Sequence, residues 1–433
     1  MAGSQAMDTA HLERLAKVLE INSNEPIKPP RSEESKMTRP STVPAIGTKD
    51  PSPKEELLPG ETLSMIEIRS LKRLLFEGRM MIFDDEWKKA SFVFQSVLSK
   101  CPYGILAPQA GARGLIVCVQ AYILKTLMFT ESDLLVPDSN SSRGLPRLSA
   151  EKHQNNALVD AMAAILWRAG ERKRAVVSVL HNIHPGLLHT DERRMEHLAK
   201  RLRYFELTSE KQLKKTLHRE LQKFTDQEGG GVLSFLYSLL LTRTSERLQA
   251  DLQGAALLTE KNRCAISLLN LLLVGQATPY VFNGKILYDD DGNLLASPVV
   301  GILERSDIGL LIIDREKPAS RDPTKHLGSM LKTPKFPIWV TSLNRHISVL
   351  FATNINLNRD WRSEQKFDLY YLNCQLTRRE ATKITVDTRT TNSYSSTTKK
   401  GKPDPKSFPI VEECISSRWP GARIDWNGGI PYF

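Results

Sequence analysis

The chain has 433 residues, of which 40% are hydrophobic and 25% are charged. This composition is typical of a globular protein with two or three average domains, or with one large domain and a tail. Its 60 Lys and Arg residues exceed its 49 Asp and Glu residues and give a formal net charge of +11, which either suits an acidic partner such as nucleic acid or is spread over the surface. The sequence lacks an apolar run of about 18 residues, so we predict no membrane-spanning helix and no membrane partner.

The cysteines and the N-terminus indicate the compartment. The five cysteines are odd in number and far apart, which favours free thiols in a reducing, intracellular compartment, cytoplasmic or nuclear. No C-x-x-C pair is present, and we expect neither a metal nor another cofactor. The first ten residues are polar and lack the apolar core of a signal peptide.

The first 60 residues are predicted to form a largely disordered tail. Residues 11–21 have apolar side chains at helical spacing and predict a short amphipathic helix, which either stays loosely formed or docks on a partner. Residues 22–60 are rich in Pro, Ser, Lys and Glu, a composition that does not bury enough surface to fold. One domain is predicted from residue 61 to the C-terminus.

Two predicted helices lead to a turn of small residues. The first spans 62–76, and the second starts at the acidic stretch 83–87 and continues through Phe92, Phe94 and Leu98 as core packing. Residues 103–129 then read Y-G-I-L-A-P-Q-A-G-A-R-G-L-I-V-C-V-Q-A-Y-I-L-K-T-L-M-F. A glycine turn feeding an apolar helix directs backbone N–H groups and the positive end of the helix dipole at one point. Cysteine proteases place a nucleophile there, because both effects stabilise a thiolate and an oxyanion.

The rest of the chain alternates between predicted helices and strands. We predict helices over 149–167, 207–224, 232–241, 261–275 (with Thr259 as N-cap) and 414–419, and strands over 174–180, 299–313, 337–343, 347–353, 384–388 (as an edge strand) and from 424.

Three polar clusters each admit a functional interpretation and a simpler one. His181, His184 and His189 suggest a metal site, but no acidic or Cys partner accompanies them, and a polar loop is favoured. The acidic stretch 289–293 suggests calcium, but its Gly292 is misplaced for an EF-hand, and a β-hairpin turn is favoured. The basic face of the 207–224 helix and the basic loop at about 390–406 suggest an anionic partner, and a solvated surface is favoured.

Residues 103–120 resemble the nucleophile segment of the MINDY deubiquitinases, roughly Y-G-(I/L/V)-x-Q-x-x-G-G-P-C-G-(V/L)-L-A-x-V-Q, and the likeness is greatest to the fourth subfamily. Residues 337–351, P-I-W-V-T-S-L-N-R-H-I-S-V-L-F, resemble the family pattern P-(I/L)-W-(V/L)-x-x-x-x-x-H-(F/Y)-(S/T)-V-L-F. The resemblance runs from about Phe76 to the C-terminus. It implies an α/β (α+β) fold of papain-like cysteine-protease type, with a helical lobe and a mixed sheet.

The resemblance assigns three site positions and shows two substitutions. The general base of the family corresponds to His346, the nucleophilic Cys to Arg113, and the oxyanion Gln to Ala107. A guanidinium neither attacks a carbonyl nor gives up its proton. Cys101, Cys118 and Gln109 are candidate replacements, none of them favoured, since the helical spacing directs Cys118 into the core.

The sequence therefore supports three functions. The leading one is a catalytically inactive deubiquitinase-like protein that binds polyubiquitin of the proteasome-targeting lysine linkage. The second is an active, linkage-specific cysteine isopeptidase with a nucleophile elsewhere in the chain. The third is a module that binds nucleic acid or another anionic surface through its basic helix and tail, and it is the least favoured.

Overall fold

A computed structural model of the chain describes residues 60–79, 81–129, 144–180, 201–227, 229–289, 291–316, 322–375, 380–389 and 409–431. The predicted N-terminal helix and linker, the three histidines His181, His184 and His189, and the basic loop at 390–406 lie outside these residues. The domain boundary at about residue 60 therefore stays a prediction.

Within the described residues the chain forms both helices and strands, so the α+β prediction is confirmed. The helices are α1 (Met65–Phe76), α2 (Asp85–Lys88), α3 (Arg113–Met128), α4 (Glu151–Ala169), α5 (Glu210–Thr225), α6 (Gly231–Arg243), α7 (Ser245–Leu252), α8 (Ile266–Val274), α9 (Ser329–Lys332) and α10 (Ile410–Arg418). The strands are β1 (Glu61–Thr62), β2 (Ala175–Leu180), β3 (Leu202–Leu207), β4 (Lys285–Tyr288), β5 (Leu294–Val300), β6 (Gly309–Ile313), β7 (Ile338–Leu343), β8 (His346–Phe351), β9 (Lys366–Leu372), β10 (Thr382–Asp387) and β11 (Arg423–Asp425).

Helix α3 lies at the centre of the fold. Its residues are apolar on all sides, and every residue from Arg113 to Leu124 is buried, as expected for a helix without a solvent-facing stripe. It packs against α4 and α8 on one side and against strands β7 and β8 on the other. The first turn of this helix is thereby fixed beside the start of β8.

A six-stranded sheet carries the second half of the site, in the order β11-β10-β9-β8-β7-β6. Strands β6 and β7 are parallel, and the remaining neighbours are antiparallel. Both faces are covered, because residues of β7 alternate between two apolar clusters: Ile338 and Val340 join the one around α3, and Trp339 joins the one around α10. This alternation is the period of two expected for a strand buried on both faces.

A two-residue hairpin positions His346. Leu343 pairs with His346 across the β7–β8 turn, and the two connecting residues, Asn344 and Arg345, both have positive φ (47° and 67°). This is the type I′ geometry that matches the twist of antiparallel strands. His346 therefore begins β8 with a fixed backbone. It lies at the end of this inner strand that faces the start of α3.

A three-stranded sheet, of order β1-β3-β2, is closed by a helix in place of a further strand. Thr242, Ser238 and Ser234, spaced four residues apart on α6, accept hydrogen bonds from the backbone N–H groups of Val176, Ser178 and Leu180 at 2.8, 2.7 and 3.2 Å. These hydroxyls satisfy backbone donors that an edge strand would otherwise leave unpaired.

Three sequence predictions were wrong. The helix from residue 83 ends at Lys88, because tertiary hydrogen bonds hold the following segment extended: Phe92 N–H donates to Phe224 O and Gln95 N–H to Gly104 O. The 261–275 helix begins at Ile266 with Ala265 as N-cap. Thr259 instead accepts at its Oγ1 a hydrogen bond from Arg263 N–H and stabilises the preceding turn.

Two strand predictions also need correction. The predicted strand over 299–313 is two strands, β5 and β6, which belong to different sheets. Strand β10 is not an edge strand, because it pairs with β9 on one side and with β11 on the other.

The acidic stretch 289–293 joins β4 to β5, and Asp289 N–H donates to Asn293 O at 2.9 Å. The predicted hairpin turn is therefore confirmed. No helix of the described residues is both long and apolar enough to cross a membrane.

Candidate active site

The turn before α3 is held in place by a side chain of the helix itself. The side chain of Gln120 accepts a hydrogen bond from Ile105 N–H at 2.6 Å and donates one to Tyr103 O at 3.0 Å. On the outer side, Glu86 accepts from Ala110 N–H at 3.0 Å, and Gly111 adopts the left-handed conformation (φ +50°) that glycine tolerates best. These contacts fix where residue 113 enters the helix.

Arg113 is the first residue of α3, and its guanidinium fills the space between the helix and the sheet. Its Nε donates to Ile347 O at 2.7 Å and its Nη1 to Pro108 O at 2.9 Å. Its Nη2 donates to Asn373 Oδ1 at 2.8 Å and also to Asn373 O. The residue is 3% exposed. Burial lowers the pKa of Arg113, but a guanidinium stays protonated in proteins.

His346 meets the tip of this guanidinium. Its Nε2 lies 3.1 Å from Arg113 Nη2 and 2.6 Å from Asn373 Oδ1. Since both hydrogens of Nη2 are directed at Asn373, the hydrogen count assigns the imidazole proton to Nε2, which donates to Asn373 Oδ1. The nitrogen facing position 113 then has no lone pair to accept a proton.

The charge state of His346 follows from its surroundings. Burial lowers the pKa of His346, the positive charge of Arg113 lowers it further, and the hydrogen bond to Asn373 opposes both. The imidazole is therefore neutral at physiological pH.

Asn373 touches both groups and was not singled out from the sequence. It directly follows β9, and extending the register in which Val349 pairs with Leu372 places it diagonally across from His346. In a triad the orienting residue binds the nitrogen that faces away from the nucleophile. Here Asn373 and Arg113 approach the same nitrogen, so Asn373 competes with position 113 for His346.

The side chains of the two predicted oxyanion candidates make no hydrogen bond to Arg113, His346 or Asn373 among the described residues. Ala107 is buried, and its backbone N–H donates to Cys374 O at 2.9 Å. A methyl group donates no hydrogen bond, so Ala107 offers no side-chain donor. Gln109, the candidate substitute for this donor, has an exposed side chain.

All five cysteines of the chain are free and buried. Burial raises the pKa of Cys101, Cys374 and Cys414 to about 12 and raises that of Cys118 well above its ordinary value. The predicted inward direction of Cys118 is confirmed. Thiols in this state are inert, because the thiolate is the nucleophile.

Cys264 lies against the turn, and it was not singled out from the sequence because it comes from the distant segment before α8. Its Sγ is 3.9 Å from Gly111 O. Burial raises the pKa of Cys264 to about 12, against the opposing effect of the Leu115 and Gly114 N–H groups at the start of α3. Helix geometry favours a thiolate here, and burial outweighs it.

The basic face of α5 is partly neutralised by ion pairs. On the basic face of α5, Lys214 is paired with Asp160 at 2.8 Å, and Arg219 and Lys223 share Glu220 at 2.8 and 2.7 Å, so much of its charge is neutralised locally. Among the described residues no cluster of three or more His, Cys, Asp or Glu is arranged to hold a metal ion.

Comparison with known proteins places this site in a family context. A family model described as "Deubiquitinating enzyme MINDY-3/4, conserved domain" matches residues 72–428. The chain is 34% identical over 366 residues to a human protein named "Probable ubiquitin carboxyl-terminal hydrolase MINDY-4", covering 84% of this chain and 45% of that protein. The mouse protein of the same name is 32% identical over 366 residues, with 84% and 46% covered.

A second group of relatives matches a shorter segment. A human protein named "Ubiquitin carboxyl-terminal hydrolase MINDY-3" is 33% identical over 130 residues, which cover 29% of this chain and 27% of that protein. The chain spans about half the length of the MINDY-4 relatives. No solved structure matches it.

Proposed function

The chain belongs to the MINDY-3/4 deubiquitinase domain family, and from this membership we propose that it is a catalytically inactive member that binds polyubiquitin. In this proposal His346 occupies the position of the general base. Arg113 replaces the nucleophilic cysteine, and Ala107 replaces the oxyanion glutamine. The ubiquitin chains would carry the lysine linkage that targets proteins to the proteasome.

The observation that carries this proposal is the buried guanidinium of Arg113. Isopeptide hydrolysis by this route needs a thiolate, a base that generates it and donors for the oxyanion. Position 113 offers none of the chemistry of a thiol, and four hydrogen bonds to Pro108, Ile347 and Asn373 hold its side chain in place. Loss of one oxyanion donor alone costs on the order of 10²–10³ in rate.

Retention of the scaffold supports binding. Gln120 still braces the turn, and the β7–β8 hairpin still presents His346 to the start of α3, although no nucleophile remains for these features to serve. A ubiquitin tail that does not react would still gain affinity from contacts with this scaffold.

The experiment combines cleavage and binding on the same preparation. Purified protein at micromolar concentration should leave tetraubiquitin of the proteasome-targeting linkage uncut over hours, and a cysteine-reactive ubiquitin probe should stay unattached. Interferometry should show binding of that chain at about 100 μM or below, which corresponds to roughly 5.5 kcal/mol. A ubiquitin-like modifier of the same fold serves as the specificity control. Cleavage that disappears in His346→Ala, or absence of binding to every linkage, would refute the proposal.

A second candidate function, an active isopeptidase, is favoured by the position of Cys264. Its sulfur lies at the start of α3, where the Gly114 and Leu115 N–H groups oppose the burial that keeps it protonated. If substrate binding opened this region, Cys264 would become the nucleophile. Probe labelling that is lost in Cys264→Ser and kept in Cys101→Ser would establish this function in place of the first.

A further inference from the structure

Arg113 differs from the other buried arginines of this protein in the charge of its partners. Arg243 is 4% exposed and is paired with two carboxylates, Asp251 at 2.8 Å and Glu171 at 3.0 Å. Arg168, which is only partly buried, is also bound to a carboxylate, that of Asp307. Arg113 is as buried as Arg243, yet within the described residues its partners are neutral oxygens and it forms no salt bridge.

A buried positive charge without a counter-ion is costly, and the surroundings of Arg113 add to this cost. The residue begins a helix of 16 residues whose first turn contains no acidic residue and whose N-cap, Ala112, offers no side-chain acceptor. The positive end of the helix dipole therefore coincides with the guanidinium. Arg263 contributes further positive potential at the neighbouring His346.

The hydrogen bonds leave one donor for a ligand. A guanidinium has five N–H groups. Nε uses one on Ile347, Nη2 uses two on Asn373, and Nη1 uses one on Pro108. One Nη1–H is therefore without a partner among the described residues. His346, whose Nε2 lies 3.1 Å from Nη2 of the same guanidinium, is partly exposed, and we take its side as the direction from which a ligand would approach.

On the basis of the proposed function, we infer that this site receives the free C-terminal carboxylate of unconjugated ubiquitin or of an unanchored chain. An isopeptide carbonyl is neutral and does not compensate the charge of Arg113. A carboxylate supplies the missing negative charge and accepts the remaining N–H in a charge-assisted hydrogen bond. The two-glycine end of ubiquitin is narrow enough to approach the turn closely. No bond is made or broken.

The test compares two forms of ubiquitin that differ only at the C-terminus, the free acid and the C-terminal amide. Wild-type protein should bind the acid about tenfold or more tightly than the amide, the effect expected of one hydrogen bond between charged groups. Arg113→Gln should bind both forms equally, at the level of the amide. Lys325→Gln, which removes one charge from a side chain that is 68% exposed, should keep the preference for the acid. A His346 NMR titration provides a second readout, because only the acid should raise the pKa of this histidine.

The outcomes separate this inference from the proposed function. If wild-type protein binds acid and amide equally well, ubiquitin binding stands and the carboxylate inference is wrong. If it binds neither form nor any chain, the proposed function fails as well. Should Arg113→Gln not fold, the comparison of acid and amide on wild-type protein decides alone.

Discussion

Restoring the cysteine at position 113 tests whether this site has the geometry of a cysteine protease. Arg113→Cys places a thiol at the first residue of a 16-residue helix, where the dipole and the free N–H groups lower a thiol pKa. The change also removes the positive charge that lowers the pKa of His346. We nevertheless expect only trace activity from this single variant, for two structural reasons.

The first reason is reach. His346 Nε2 lies 3.1 Å from Nη2 at the far end of the arginine side chain, and a cysteine Sγ ends several bonds short of that point. The second is the tautomer, since Asn373 Oδ1, 2.6 Å from Nε2, still holds the proton of that nitrogen. The thiol would therefore lack a base at hydrogen-bonding distance until substrate closes the gap.

Adding Ala107→Gln should raise the rate by about 10²–10³, the usual contribution of one oxyanion donor. Ala107 is buried, so the larger side chain needs additional space, and replacing Arg113, which binds the adjacent Pro108 O, by a smaller residue frees space nearby. We therefore expect Ala107→Gln to destabilise the protein by itself and to be tolerated together with Arg113→Cys, a coupling that a double-mutant cycle measures. Ala112→Pro is the third substitution, because the family pattern has a proline directly before the cysteine. It should be tolerated, since φ at Ala112 is −71°, close to the value that proline imposes.

The assay is probe labelling and chain cleavage by the wild-type, single, double and triple forms, with melting temperature as the folding control. The expected order of rates is wild type (none), single (trace), then double and triple. A triple variant that melts cooperatively but neither labels nor cleaves would show that His346 is not aimed at position 113, and the assignment of site positions would then be wrong.

Three further predictions concern stability. Arg113→Lys keeps the buried charge but loses the planar fork and should cost about 2–4 kcal/mol, more than Arg113→Met, which removes the charge too. At Arg243, whose partners are Asp251 and Glu171, the order should reverse, since Met leaves the partly buried carboxylate of Asp251 without its ion pair. Urea unfolding measures all four variants, and the same order at both positions would contradict the argument. Gly114→Ala should destabilise by about 1–3 kcal/mol despite the higher helix propensity of Ala, because the new Cβ would lie 2.7 Å from Cys264 Cβ and 3.0 Å from Ile347 Cδ1; unchanged stability would mean that this packing is loose. Finally, the pKa of His346 is lowered in the folded state. As the pH falls, the unfolded chain therefore binds a proton before the folded protein does, and stability should fall below about pH 6.5. His346→Gln should flatten this fall in stability, and a pH profile identical to that of the wild type would exclude His346 as its source.

The sequence predicted the parts of the site that local pattern determines. The apolar run after Gly114 fixed α3, and the motif around His346 located the hairpin whose turn residues, Asn344 and Arg345, adopt positive φ. Both signals lie within a few residues of the group that they position. The assignment of roles to Arg113, His346 and Ala107 rests on resemblance and stays a prediction.

Contacts between distant segments could not be predicted in this way. Asn373 lies more than 25 residues along the chain from its partner His346, and Cys264 lies more than 150 residues from its partner Gly111. The residues adjacent to them in sequence form no pattern that indicates a place in the site. The segment after Lys88 has the composition of a helix, but its backbone N–H groups donate hydrogen bonds to the carbonyl oxygens of Phe224 and Gly104. Tertiary hydrogen bonds there outweigh helix propensity, which is worth only a few tenths of a kcal/mol per residue, about 0.7 at most for ordinary residues.

The contacts of Arg113 join two parts of this site that come from distant segments of the chain. A cysteine at this position would touch only its own turn, and His346 and Asn373 would be held by the sheet alone. The guanidinium instead joins three separate segments through Pro108 before the helix, Ile347 on β8 and Asn373 after β9. It therefore links the helical half of the site to the sheet half by hydrogen bonds. In a cysteine protease this link is made only by the nucleophile and its base. Under the proposed function, the side chain at the position of the nucleophile also stabilises the arrangement around it, and its uncompensated charge would make that arrangement prefer a free C-terminal carboxylate of ubiquitin to an isopeptide carbonyl.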